Sequence, residues 1–204
     1  LTEKGDWEKQ QKAMNLNKFI AGSFYKARTY QSSARCFVDG AVFGTGLKKV
    51  YSIGKEIISE RTLPDELCVD DNESWVSDPT NLYQTKTVSR SWLAAMYPKF
   101  RAQILELKSA ASIAEYASNE YADQVLIDEA WHLPTKSFDG KTNKDGRHAI
   151  VIAGATLECG EWTWPIFPFA RFLHVPQLVG FFGQGVCERH AGSQMEVNKY
   201  LKNI

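Results

Sequence analysis

The sequence predicts an α+β fold, with long helices packed against antiparallel β-hairpins and a β-meander. Three observations carry this. A stripe of apolar residues at helical spacing runs through 6–39. Two later regions, 47–63 and 124–161, have strand texture cut by glycines at turn spacing. Nowhere do strand and helix patterns alternate as a parallel βαβ sheet requires.

Taken in order, Trp7, Met14, Phe19, Ile20, Phe24, Ala27, Ala34 and Phe37 share one face of the first helical segment, with Gly5 and Asp6 at its start. Gly22, a weak helix former, is where that segment is expected to divide. Gly40, Gly44 and Gly46 then punctuate, and Leu47–Ile53 and 55–63 form a hairpin turning at Gly54. A polar loop with Asp70, Asp71 and Glu73 follows, then the Asp78-Pro79 turn. Ser89 caps a short helix that Pro98 ends, and 99–119 reads as another helix, with Phe100, Ile104, Leu107 and Ala111 three or four apart. Residues 124–134 alternate as a strand, 135–146 form a polar tip, 147–154 return, and "ATLECGEW" extends the meander. Pro165, Pro168 and Pro176 make 164–176 an interrupted edge or crossing segment. A final helix runs from about Gln184 to the end.

The 204 residues suffice for one large or two small domains with a real core, and 44% apolar content marks a globular chain. With 12% aromatic residues, much of that surface is expected to be buried or at subunit contacts. Lys plus Arg equals Asp plus Glu at 24 each, and no basic run exceeds Lys48-Lys49, which argues against tight sequence-specific binding of duplex DNA. Cys36, Cys68, Cys159 and Cys187 form no CxxC pair and read as isolated thiols. No apolar run is long enough for a membrane helix, and no signal peptide is visible. The chain starts at Leu1 and ends within a helical pattern, so it is expected to be a piece of a longer protein.

"LVGFFGQG" at 178–185 raises the possibility of a phosphate cradle. A Walker loop needs Lys and Ser or Thr after its last glycine, whereas Val186 and Cys187 follow Gly185. A dinucleotide fingerprint needs a preceding βαβ unit, which the chain lacks. Gly180, Gly183 and Gly185 therefore read as a structural corner or hinge. "GTG" at 44–46 lies between helix and strand, the reverse of a phosphate loop, and also reads as a corner. Asp70, Asp71 and Glu73 lack calcium-loop spacing. Asp128 and His132 would share a strand face, but no nucleophile motif accompanies them. Cys187 and His190 are two ligands without a second pair, and the four histidines show no HxxxH. Neither a catalytic centre nor a cofactor nor a metal is predicted.

Two passages together carry a resemblance. The first is "CFVDGAVFGTGLKKVYS" with "ERTLPDELCVDD" and "DPTNLYQTKTVSRSWLAAMYP". The second is "DEAWHLP", "DGRHAIVIAGATLECGEW", Phe167-Pro168-Phe169, Gly183-Gln184-Gly185 and Gln194-x-Glu196-x-Asn198. In order and spacing they resemble the portal proteins, or head-to-tail connectors, of tailed bacteriophages, across most of 36–204. The resemblance implies a non-enzymatic ring, commonly of twelve subunits, at one capsid vertex of the virion, assembled in the host cytoplasm. DNA enters and leaves through its channel without sequence-specific binding. Terminase, capsid and tail or adaptor proteins would be its partners. It further implies a portal-wing-like domain over 1–183 and the start of a stem helix over 184–204. On that helix Glu188, Gln194, Glu196, Asn198, Lys199 and Lys202 would face the channel or a neighbour, and Val186, Ser193, Val197, Tyr200 and Ile204 would form a thin packing stripe.

Two other readings stand beside it. One is a small hydrolase using Asp128 and His132, or a divalent cation at Asp70 and Asp71. The other is a small adaptor that binds a protein through exposed aromatic surface.

Overall fold

A computed structural model describes residues 6–75, 78–110, 123–137, 139–140 and 142–202. The fold is α+β with antiparallel sheets, as the sequence patterning predicts. The chain forms two compact units. Unit 1 comprises 1–64, 168–177 and 182–204, and unit 2 comprises 65–167 and 178–181. These units do not divide at 183/184: the last helix belongs with the first helices and the first hairpin.

Unit 1 opens with helices α1 (Trp7–Lys26) and α2 (Thr29–Phe43). The break lies at Arg28, whose φ of 49° is left-handed, and not at Gly22, which continues inside α1. A mid-helix glycine only lowers propensity, whereas a left-handed residue redirects the chain. Ala34 and Phe37 thus leave the stripe that begins at Trp7. Strands β1 (Thr45–Ile53) and β2 (Glu56–Thr62) form the predicted hairpin, turning at Gly54 with φ 60°.

A distant strand, β8 (Phe169–Leu173), completes the sheet from the other edge of β1, antiparallel, from Thr45↔Leu173 to Lys49↔Phe169. The proline-interrupted segment is therefore an edge, as expected. Helix α2 lies across all three strands. Its sheet-facing side is small and polar. Cys36 Sγ donates to the Leu47 carbonyl (3.2 Å), Lys48 Nζ donates to the Thr29 carbonyl (2.7 Å) and Ser33 Oγ (2.6 Å), and Asp39 accepts two bonds from Arg61. Burial raises the Cys36 thiol pKa and lowers that of Lys48.

Unit 2 is a five-stranded antiparallel sheet in the order β3 (Leu67–Cys68), β4 (Asn81–Ser89), β5 (Gln124–His132), β6 (Arg147–Ile152) and β7 (Ala155–Glu161). Strand β4 escapes the sequence patterning although it pairs β5 along nine residues, from Asn81↔His132 to Ser89↔Gln124. Its inward positions are Leu82, Gln84, Lys86 and Val88, so half of the buried face is polar. Gln84 is fully buried and donates to Glu66 Oε2 (2.8 Å).

The short helix α3 (Asp71–Ser74) precedes β4, and α4 (Arg90–Met96) and α5 (Arg101–Glu106) follow it. Ser89 holds the N-cap position of α4, but its hydroxyl meets Ser91 Oγ and caps no backbone N–H. Arg90 Nη1 instead closes the end of α5, donating to the carbonyls of Ile104 and Leu107. Helix α5 ends at Glu106, with Leu107 as its C-cap; the part of the 99–119 expectation in 111–119 lies outside the described residues. Leu93, Ala94 and Ile104 pack on Val125, Ile127, Ile152 and Leu157 to form a dry core.

Candidate functional site

The three glycines of 178–185 do two different jobs. Gly180 has φ 98°, a conformation in which a side chain is strained, so it makes the corner. Gly183 and Gly185 are spacers. A β-carbon on Gly183 would stand 2.5 Å from the Gly44 carbonyl oxygen, and one on Gly185 would overlap the Val42 carbonyl. Gly44, which caps α2 with φ 90°, meets Gly183 from the other side, and Gly46 lies against the Cys36 carbonyl. The two glycine clusters singled out separately in the sequence are thus one backbone-to-backbone junction.

Hydrogen bonds close the junction. Gly183 N–H donates to Thr45 Oγ1 (2.7 Å), Gln184 N–H to the Val175 carbonyl (2.8 Å) and His174 N–H to the Gly44 carbonyl (2.9 Å). The N–H groups that a phosphate cradle would present at Gly183 and Gln184 are already committed to the protein.

From this junction emerges α6 (Val186–Lys202). Glu188, Gln194, Glu196, Asn198, Lys199 and Lys202 are all exposed. Gln194 Nε2 donates to Asn198 Oδ1 (3.0 Å), and Lys199 pairs with Glu196 (2.8 Å), as neighbours on a solvated helix do. The expected packing stripe is left exposed. Val186, Ser193, Val197 and Tyr200 are exposed, as are Met195 and Leu201, and Ile204 lies outside the described residues.

Helix α1 repeats the pattern, burying no residue while Trp7, Met14, Phe19, Ile20 and Phe24 face outward; on α2 the same holds for Phe37, Val38, Val42 and Phe43. Among the described residues of unit 1, the buried apolar side chains are Cys36 and Leu47, against a full core in unit 2. Aromatic surface expected to be buried within the chain or at contacts is, on these helices, on the outside.

Of the residues of the hydrolase reading, Asp128, His132 and Asp70 are engaged elsewhere, and Asp71 is exposed. Asp128 and His132 share the outer face of β5 but do not meet. Thr85 Oγ1 donates to Asp128 Oδ1 (2.6 Å), and His132 Nδ1 donates to Asn81 Oδ1 (2.7 Å). Asp70 caps α3 by accepting from the N–H of Asn72 and Glu73. Glu73 accepts from the Thr80 and Asn81 N–H groups, from Thr80 Oγ1 (2.8 Å) and from Asn81 Nδ2 (2.8 Å). The Thr80 hydroxyl, ahead of the other donors, holds the Glu73 carboxyl below its ordinary pKa. Among the described residues no group of three or more His, Cys, Asp or Glu converges as metal ligands would.

Sequence reasoning passed over one half-buried polar group, His148. Its Nε2 donates to Glu129 Oε1 (2.9 Å), and its ring stacks on Trp131 at 5.3 Å between centroids. Cross-strand register was the missing signal, because Trp131 and His148 become neighbours only through β5–β6 pairing.

No protein-family model matches the chain, and no curated protein matches it. Among the described residues no helix is long and apolar enough to cross a membrane.

Proposed function

We propose that this chain is a structural subunit of a portal-like ring: a channel at one capsid vertex of a tailed phage, through which DNA is packaged and ejected. The observation that carries the proposal is how few apolar side chains are buried among the described residues of unit 1. Helices α1 and α6 bury no residue, α2 buries only Cys36, Asp39 and Gly40, and all three display aromatic and aliphatic side chains along their length. A unit of this size gains its stability from apolar burial, and a polar helix such as α6 is marginal without neighbours. Adjacent subunits supply the missing burial, as in obligate assemblies.

The ordered motifs from 36 to 204 that resemble portal proteins support the same reading, and name terminase, capsid and tail or adaptor proteins as partners. The subunit works in the virion and assembles in the host cytoplasm. It works without a cofactor and is not an enzyme. Its contribution is position: α6, with Glu188 and Glu196 set against Arg189, Lys199 and Lys202, presents a mixed-charge surface. DNA slides past such a surface, because dense phosphate neutralisation would hold it.

Native mass measurement and negative-stain imaging test this directly. Closed rings with a central hole are expected. A chain that stays monomeric at every concentration, or that turns over a hydrolysable substrate through His132, would remove the proposal.

A further inference from the structure

The balanced charge of the chain conceals a separation. Unit 1 carries fifteen Lys and Arg against eight Asp and Glu; unit 2 carries nine against sixteen. At neutral pH the formal charges are +7 and −7, with His neutral. Both units also display large apolar side chains. In unit 1 these include Trp7, Phe19 and Phe37, and in unit 2 Trp75, Trp92 and Trp164.

From this we infer that the assembly interface is heterologous: the basic, helical unit 1 of one copy docks on the acidic unit 2 of the next. The inference rests on the ring-subunit reading and specifies which surfaces pair. Contact between like units, as a two-fold dimer through unit 1 or unit 2 requires, sets +7 against +7 or −7 against −7. Contact between unlike units sets opposite fields together and buries apolar surface from both sides. A heterologous contact repeats head to tail and ends by closing into a ring. Charge separation thus makes contact between unlike units attractive and two-fold contact between like units repulsive. A nucleic acid on unit 1 would account for the positive excess and leave the equal negative excess of unit 2 without a role.

Salt and charge reversal test the pairing. Self-association of the native chain, followed by sedimentation, is expected to weaken at least about tenfold between about 0.1 M and about 1 M NaCl, as the screening length falls from about 10 Å to about 3 Å. Two triple variants at exposed positions then separate the partners. Lys12→Glu, Lys18→Glu and Arg35→Glu bring unit 1 to +1; Asp71→Lys, Glu106→Lys and Glu161→Lys bring unit 2 to −1. Neither variant should associate alone. Mixed, they should form a one-to-one pair and stop, because one intact interface joins them and the other is spoiled on both sides.

Self-association that ignores salt, or a unit 2 variant that still associates alone like the native chain, would overturn the inference and leave the ring-subunit reading standing. So would duplex DNA binding abolished by the unit 1 variant in a chain whose association neither variant affects. A native chain that never associates removes both.

Discussion

Gly183 and Gly44 meet backbone to backbone, so close that a β-carbon on either would overlap the other's carbonyl group. Contact of this kind requires glycine on both sides. The prediction is Gly183→Ala and Gly185→Ala variants destabilised by about 1–3 kcal/mol, because the overlapped atoms are backbone and cannot rotate away. Gly22→Ala, in an open helical site with nothing within 4 Å, should instead stabilise by about 0.5–1 kcal/mol. Urea midpoints of the three variants would check the contrast. Equal effects at Gly22 and Gly183 would contradict the spacer role.

Asp39 and Arg61 predict an asymmetry. Asp39 is 3% exposed, whereas the Arg61 side chain is 40% exposed and can reach water. Removing the arginine strands a buried carboxylate; removing the carboxylate leaves a cation that can turn outward. Arg61→Met should therefore cost about 2 kcal/mol or more, and Asp39→Asn clearly less, in equilibrium unfolding. The reverse order would show that Asp39 is solvated by other means.

Much of this architecture was legible in the sequence, and what escaped it escaped for physical reasons. The β1–β2 hairpin, strands β5 to β7 and the final helix stand out because their turns use glycine and their faces alternate. Strand β4 does not, since Gln84 and Lys86 occupy inward positions and only pairing to β5 explains them. The α1–α2 break carries no glycine or proline, and a left-handed Arg28 is set by tertiary context. The corner was legible as glycines, but the union of Gly44 with Gly183 was not, because the two lie far apart in sequence, beside a Thr45–Gly183 hydrogen bond that spans 138 residues.

Glu73 makes a pH prediction. Its carboxyl is held below the ordinary value, first by the Thr80 hydroxyl and then by backbone and side-chain donors of Thr80 and Asn81. A depressed folded-state pKa contributes stability above the unfolded value of about 4.3, and that contribution is lost as pH falls through the folded-state value. Acid unfolding of the native chain should therefore steepen below about pH 4.3, and Glu73→Gln should flatten that limb. In Thr80→Val the titration midpoint of Glu73, followed by NMR, should move upward. An unmoved midpoint would place the main stabilising donor elsewhere.

On α1, structure and stability part company. Trp7, Phe19 and Ile20 are exposed, and no residue of the helix is buried, so their side chains contribute little to the fold of an isolated chain. Replacing Phe19 and Ile20 together by Ser should shift the unfolding free energy of the monomer by only about 0.5 kcal/mol. The same change should weaken self-association strongly, because large apolar groups lying on a helix surface count for most when a neighbour covers them. Monomer stability measured at high dilution, set against association measured by sedimentation at higher concentration, separates the two. If the double variant loses monomer stability and keeps its association, α1 packs within its own chain in solution, and the assembly role assigned to unit 1 fails.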